Sequence, residues 1–456
     1  MNYPESVRFL YALGNEIRTA KLGLERIARL LEGLGSPQRH GRFVHVAGTN
    51  GKGSVCAMIE SSLRAAGVRT GLFTSPHLSE PTERIQIDGR PVSAAQFAEA
   101  FDQVHGAAER MLADGAMDLH PTYFETVVAM ALLTFRDTNV DTAVLEVGLG
   151  GRLDATNIVE PAISVITPVD YDHEAFLGKS IEAIALEKAG IIKRGVPVVV
   201  AAQRPEVAAI LERRAAELGA PVLRAGAWTV EQSESHAHGN RFRVSGPASL
   251  RIECPLAGEH QIANALTAIA ALHTLGIPAA AVEAGIRNTR WPGRLEFVAE
   301  RPDIVLDGAH NPSGARSLAA YIDRFHSGRR VWLIYGAMRD KAVSEMTGIL
   351  FPHAGEIILT APRQPRALRP EAIASMVDHR AMRTAPDLET ALALFRKQGA
   401  PDDIAFVTGS LFLVGEARAL LVPPPNRLTG QPPNRTTEQP ANRLTEQPCS
   451  TSSLTR

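Results

Sequence analysis

The segment HVAGTNGKGS, residues 45–54, constrains this 456-residue chain more than any other stretch. An apolar run at 43–47, FVHVA, leads straight into Gly48, Thr49, Asn50, Gly51, Lys52, Gly53 and Ser54. A stretch with helical spacing, 53–66, follows. A strand, a glycine-rich loop and a helix in that order make an anion cradle, because loop N–H groups and the helix's positive end face one point. Glycine lets the backbone turn tightly and approach a phosphate with no Cβ in the way. Lys52 can reach terminal phosphates, and Ser54 can offer its hydroxyl to Mg²⁺. The usual phosphate loop places Ser or Thr directly after the lysine, whereas Gly53 intervenes here. A tight turn carrying a solvated lysine is the other reading of these residues.

The surrounding chain suits such a loop. Apolar strands are expected at 43–47, 142–147, 162–168 and 196–201, with helices between them at 53–66, 122–136 and 181–189. That alternation implies an α/β fold with a mostly parallel sheet covered on both faces. Alternating residues in RFRVS and SLRIE place a small antiparallel excursion within 226–254. A second set of strands, at 303–307, 330–335, 356–360 and 404–408, predicts a smaller Rossmann-like α/β domain. The expected domains are therefore 1–292, binding ATP, and 293–420, with Pro292-Gly293 as a hinge or an ordinary turn. Residues 421–456 contain NRLTGQPP, NRTTEQPA and NRLTEQPC, starting at Asn426, Asn434 and Asn442. So little apolar content cannot offset ordering entropy, so a disordered tail with no catalytic part is expected.

Composition removes other classes. Lys plus Arg number 48 against 49 Asp plus Glu, which gives no support for nucleic-acid binding. Cys56, Cys254 and Cys449 are too few and scattered for a disulfide framework or a zinc cluster. The start of the chain lacks a basic region followed by a long apolar run, and VPVVVAA is too short to span a bilayer. A cytoplasmic protein with no membrane partner is expected.

Polar residues at strand ends supply the candidate chemistry, since open α/β sheets bind ligands there. Glu146 ends TAVLEV and reads as a Mg²⁺ ligand or as a partner of Arg152. His173 in VDYDHEAFLG is a ligand or a loop cap, and Ser75 in LFTSPHL is a similar candidate. Lys188 lies near the end of a helical segment, where a lysine ordinarily just complements the helix dipole.

These segments together carry a resemblance. HVAGTNGKGSV, LFTSPHL, TYFE, LEVGLGGRLDATN, DH followed by LG, EKAGIIK, GEHQIANA, PGRLE and DGAHNP occur in order between about residues 20 and 418. They resemble the Mur ligase-like amide-bond synthetases, and within them the folate branch, dihydrofolate synthase/folylpolyglutamate synthase. The resemblance implies that ATP phosphorylates a substrate carboxylate and that the amino group of L-glutamate then displaces phosphate. It implies dihydropteroate and reduced folates as acceptors, with folylpolyglutamate synthesis alone as the alternative. It implies catalytic roles for Lys52, His173 and Lys188. One Mg²⁺ would be held by Ser54 and Glu146 with Ser75 near, and a second near His173, with Lys188 carbamylated by CO₂. Asn264, Arg294, Asp307 and His310 would join the Gly48–Ser54 loop around ATP. Thr122, Tyr123, Phe124 and Glu125, with Leu153, Asp154 and Ala155, match substrate-binding segments. A monomer is expected. A peptidoglycan Mur ligase would carry a further domain for its UDP-linked substrate, and 47 residues precede Gly48.

Overall fold

The computed structural model describes residues 1–13 and 23–423; Lys21 of KLGLERI and the octapeptide repeats lie outside the described residues. Eight strands form the sheet behind the glycine loop. They are β1 (Arg42–Ala47), β2 (Thr70–Phe73), β3 (Ile85–Ile87), β4 (Arg90–Pro91), β5 (Thr142–Glu146), β6 (Ile163–Ile166), β7 (Val198–Val200) and β8 (Val222–Arg224). Their order is β4-β3-β2-β5-β1-β6-β7-β8. The run from β2 to β8 is parallel, and β3 and β4 add an antiparallel edge.

β1 is central, and every residue after Arg42 is buried, which is why it reads as a continuous apolar run. Successive side chains point to opposite faces. Val44 and Val46 pack with Val55, Ile59 and Ala268 from the helices Lys52–Ala65 and His260–Thr274. Phe43 packs with Phe97, Phe101 and Val127 from the helices Ala94–Ala113 and Tyr123–Asp137. The chain runs from β1 to β2 on one side and returns as β6 on the other, with β5 between β1 and β2. The carboxyl ends of β1, β5 and β6 therefore open one crevice.

β9 (Thr229–His236), β10 (Gly239–Ser245) and β11 (Leu250–Cys254) form the expected antiparallel piece, in the order β11-β10-β9. Its inward residues Phe242, Val244 and Ile252 join the core on the glycine-loop helix side.

A third sheet contains β12 (Glu296–Ala299), β13 (Asp303–Leu306), β14 (Val331–Tyr335), β15 (Glu356–Leu359), β16 (Met382–Thr384) and β17 (Ile404–Thr408). Its order is β12-β13-β17-β14-β15-β16, parallel except for β12. Leu333, Tyr335 and Phe406 face one core, and Trp332, Ile334 and Val407 the other. Met1–Val422 make one compact unit. Among the described residues no helix is long and apolar enough to cross a membrane.

Candidate active site

A cavity of about 270 Å³ lies over the glycine loop and is walled by residues of both large sheets. Gly51 sets the loop's exit. Its φ is +85°, and a Cβ there would lie 2.3 Å from Asn264 Oδ1. The interposed Gly53 has a similar cause, since its Cβ would fall 2.3 Å from the Trp291 ring. The departure from the usual loop spelling thus makes room for an indole against the backbone.

Two lysines converge on one carbonyl. Lys52 Nζ donates to the oxygens of Gly48 and Thr49 at 3.1 and 3.0 Å. Lys188 Nζ donates to Gly48 O at 2.8 Å from the helix Ile181–Ala189. Lys188 is only 4 % exposed. Burial and the Lys52 charge lower its pKa to about 7, against the pull of Asp172, Asp154 and Glu187. A substantial neutral fraction at physiological pH follows, which a helix-end lysine on the surface would lack.

Glu146 ends β5 and is 5 % exposed. Its Oε2 accepts from the N–H of Ser75 at 3.2 Å. Burial pushes its pKa up, opposed chiefly by Lys52 and that N–H. Arg152 pairs with Glu187 at 2.8 Å, so the alternative partner for Glu146 is engaged elsewhere. The Ser54 hydroxyl is buried and accepts from Gln261 Nε2 at 3.3 Å.

His173 follows β6 in a left-handed conformation, with φ +52°. Burial and then Lys341 lower its pKa to about 4, so the ring is neutral near pH 7 with a lone pair to offer. Beside it, Asp172 pairs with Lys341 at 2.6 Å and lies 3.7 Å from His310 Nε2. Burial opposes ionisation of Asp172, yet Lys341 and the two histidines hold its pKa well below the usual carboxylate range.

The third sheet contributes Asp307 at the end of β13, which accepts from the N–H groups of Leu295 and Ala309. Burial raises its pKa and nearby Arg294 lowers it. His310 is held by a 2.8 Å contact from Nδ1 to Gly308 O, and burial with the Lys341 charge lowers its pKa to about 3. Asn50 and Asn311 exchange side-chain hydrogen bonds at 3.3 and 2.9 Å, joining the loop to this sheet.

The Thr122–Glu125 segment is built differently. Thr122 caps the helix Tyr123–Asp137, and Glu125 Oε2 accepts from the Thr122 N–H and hydroxyl, each at 2.8 Å. Arg26 pairs with the same carboxylate at 2.7 Å. Phe124 packs so close to Gly148, on the cavity wall, that a Cβ there would lie 2.4 Å from the ring. Asp154 accepts from Leu149 N, Thr156 N and Thr156 Oγ1. Leu153, Asp154 and Ala155 connect the β5 side of the crevice to the turn Ala155–Ile158.

Residues 46–272 match the Mur ligase middle domain, and residues 293–411 the Mur ligase, glutamate ligase domain. The folylpolyglutamate synthase of Lacticaseibacillus casei is 36 % identical over 92 % of this chain and 99 % of its own length. This chain belongs to the folate branch of the Mur ligase family. The dihydrofolate synthase/folylpolyglutamate synthase of Bacillus subtilis is 35 % identical over 88 % of this chain and 95 % of its own. The structure of Mycobacterium tuberculosis folylpolyglutamate synthase complexed with ADP and AMPPCP superposes with a TM-score of 0.86 at 34 % identity. It covers 93 % of this chain and 100 % of that one.

Within this Mur ligase framework, sequence reasoning omitted Asp172, Gln261, Asn311 and Lys341. Asp172 and Asn311 stood inside segments already singled out, DH and DGAHNP, and their strand-end positions were the available signal. Lys341 carried none, because its partner lies 169 residues away.

Proposed function

We propose that this ligase uses ATP to add L-glutamate to dihydropteroate, giving dihydrofolate, and to reduced folates, giving folylpolyglutamates. The observation carrying this reading is the meeting of Lys52 and Lys188 on the Gly48 carbonyl, in a cavity that Glu146 and Asp307 also line. The Bacillus subtilis relative bears both activities in its name, and the Lacticaseibacillus casei relative bears one.

In the first step an oxygen of the substrate carboxylate attacks the γ-phosphorus of ATP and ADP leaves. The product is an acyl phosphate, whose phosphate is a far better leaving group than oxide. The glutamate amine then attacks the acyl carbon, loses a proton, and phosphate departs. Loop N–H groups from Gly48 to Ser54 and the Lys52 ammonium hold the phosphates, and this stabilisation is largely electrostatic. Asn264, Arg294, Asp307 and His310 complete the nucleotide site from the opposite wall.

The donor set fits Mg²⁺. Glu146 is a buried carboxylate with, among the described residues, one hydrogen bond, from Ser75 N, so acceptor capacity remains for a hard cation. Ser54 and Ser75 supply hydroxyls beside it, and His173 with carbamylated Lys188 fits a second ion. When bound, the ions neutralise charge on the phosphoryl oxygens. The Lys188 amine forms its carbamate by attacking the carbon of CO₂ and releasing a proton, which replaces a cation with an anion. A pKa of about 7 supports this, since only the neutral amine is nucleophilic.

The pterin is assigned to the wall near Tyr123 and Phe124, with Leu153, Asp154 and Ala155. Thr122 and Glu125 hold the start of that helix. The protein works as a cytoplasmic monomer without nucleic-acid or membrane partners. The deciding experiment supplies purified protein with ATP, Mg²⁺ and labelled glutamate, and offers dihydropteroate and reduced monoglutamyl folates separately. Label is expected in dihydrofolate and in lengthened folates. Incorporation into folates alone restricts the reading to folylpolyglutamate synthesis, and ATP hydrolysis without either product defeats it.

A further inference from the structure

Away from the cavity, His105, Glu109 and His120 form a cluster with chemistry of its own. His105 and Glu109 stand one turn apart on the helix Ala94–Ala113 and so share a face. His120 reaches in from the loop before the helix Tyr123–Asp137. Glu109 Oε1 lies 3.8 Å from His105 Nδ1 and 3.7 Å from His120 Nε2. One ligand atom from each residue lies within 4.8 Å of the other two. Those separations are too long for hydrogen bonds.

Among the described residues neither of these buried nitrogens has a hydrogen-bond partner. Leaving such an atom uncompensated is unfavourable, and an unmatched buried polar atom calls for an explanation. His120 Nδ1 is 2.9 Å from the Pro121 carbonyl, which only an N–H can approach as a donor. In the neutral ring Nε2 therefore keeps its lone pair, directed at the cluster. Histidines that bind metals are commonly oriented by such a second contact. The His105 ring stacks on Phe101 at 5.3 Å and packs against Phe9 at 4.5 Å. Phe9 also lies 5.6 Å from His120, so aromatic rings fix both imidazoles.

We propose that His105 Nδ1, a Glu109 carboxylate oxygen and His120 Nε2 bind one transition-metal dication, with Zn²⁺ the best match. Two imidazoles and a carboxylate suit Zn²⁺, and a fourth position stays open for water. Tetrahedral bonds of about 2.0–2.1 Å separate ligand atoms by roughly 3.3 Å, so small side-chain rotations would close the site. Mg²⁺ takes mainly oxygen ligands, and two imidazoles among three donors therefore favour Zn²⁺ here, whereas carboxylate, hydroxyl and phosphate oxygens dominate the phosphate cavity. Glu109 is exposed and gives the ion a way in. The bound ion would tie the Ala94–Ala113 helix to His120, two residues before the cap at Thr122, and so brace the start of the next helix.

The test titrates Zn²⁺ into the full chain saturated with ADP and Mg²⁺, alongside Glu109→Gln and His120→Gln. Wild type should bind one more Zn²⁺ per chain than either variant, with affinity at that site at least tenfold higher. Co²⁺ should give the visible absorption of a four-coordinate site in wild type and lose it in both variants. Equal uptake by all three proteins, meaning adventitious surface binding only, overturns the proposal. Should a variant fail to fold, histidine NMR on wild type decides instead. Zn²⁺ should shift the His105 and His120 ring signals at one equivalent, and unmoved signals overturn the proposal equally.

Discussion

The crevice at the ends of β1, β5 and β6 and the segment from Thr122 to Glu125 both bury polar side chains, and they treat them in opposite ways. Glu125 receives two hydrogen bonds from Thr122 and an ion pair from Arg26, and Asp154 receives three hydrogen bonds. In the crevice, among the described residues, Glu146 has one backbone donor and Lys188 one carbonyl acceptor. There the pKa values of Glu146, Lys188 and His173 move toward the neutral form, as burial requires. Burial also raises the pKa of Asp154, to about 6, so spare hydrogen-bonding capacity and not a displaced pKa separates the groups a ligand can use from those that set the chain's shape.

The largest expected effect is at Glu146. Glu146→Ala should lower ligase turnover by about 10²–10³-fold, the range found when one stabilising group is lost from a transition state. Nucleotide affinity, measured by calorimetry, should change much less. Near-normal turnover would remove the distinction between the two regions.

Lys188→Met should also cost more than about 100-fold in turnover, on the same electrostatic grounds. Its wild-type counterpart offers a sharper readout through pH. At fixed dissolved CO₂, a ¹³C carbamate signal should be weak at pH 6 and grow as pH rises through about 7, where the Lys188 amine loses its proton. Burial lowers that pKa below its unfolded value, so the neutral, reactive amine gains population upward in pH. A signal absent from pH 6 to 9 in active protein would contradict the assignment.

Asn311→Ala should have a middling effect. It removes the exchange with Asn50, the hydrogen bond to Asp172 and the cap on Gly314 N, and about tenfold in kcat/KM is expected if about 1.4 kcal/mol of that loss falls on the transition state. The smallest effect on activity belongs to Thr122→Ala. Loss of a helix cap should cost about 1 kcal/mol of stability in denaturant unfolding. KM for the pterin substrate should stay within about threefold, because the hydroxyl serves the helix start. A tenfold rise in KM would make Thr122 a contact of the substrate and blur the comparison from the other side.

Legibility followed the range of the interactions. β1, β5 and β6 were readable because strands buried on both faces are continuous apolar runs, and β10 because Phe242 and Val244 alternate with exposed arginines. β3 and β4, three and two residues long, are too short to show a period. The loop glycines announced a close approach, but the Trp291 ring that requires Gly53 comes from more than 200 positions further on. Lys188 illustrates the same limit. A helix-end lysine reads as ordinary until the fold buries it against Gly48 and beside Lys52. The pairing of Asp172 with Lys341 depends wholly on how the third sheet meets the first, and no local pattern encodes that.

The Asn50–Asn311 exchange has a consequence for how the enzyme tolerates its own reaction. Amide groups carry no net charge and do not titrate, so neither partner of this clasp between loop and third sheet changes its charge with pH. As a triphosphate becomes a diphosphate beside it, the local field changes by whole charges, which the neighbouring Lys341–Asp172 ion pair must feel. Asn311 Nδ2 also donates to Asp172 Oδ2 at 3.2 Å, so the neutral clasp is bonded to the charged pair, and a shift in that pair has a direct route to the glycine loop through Asn311.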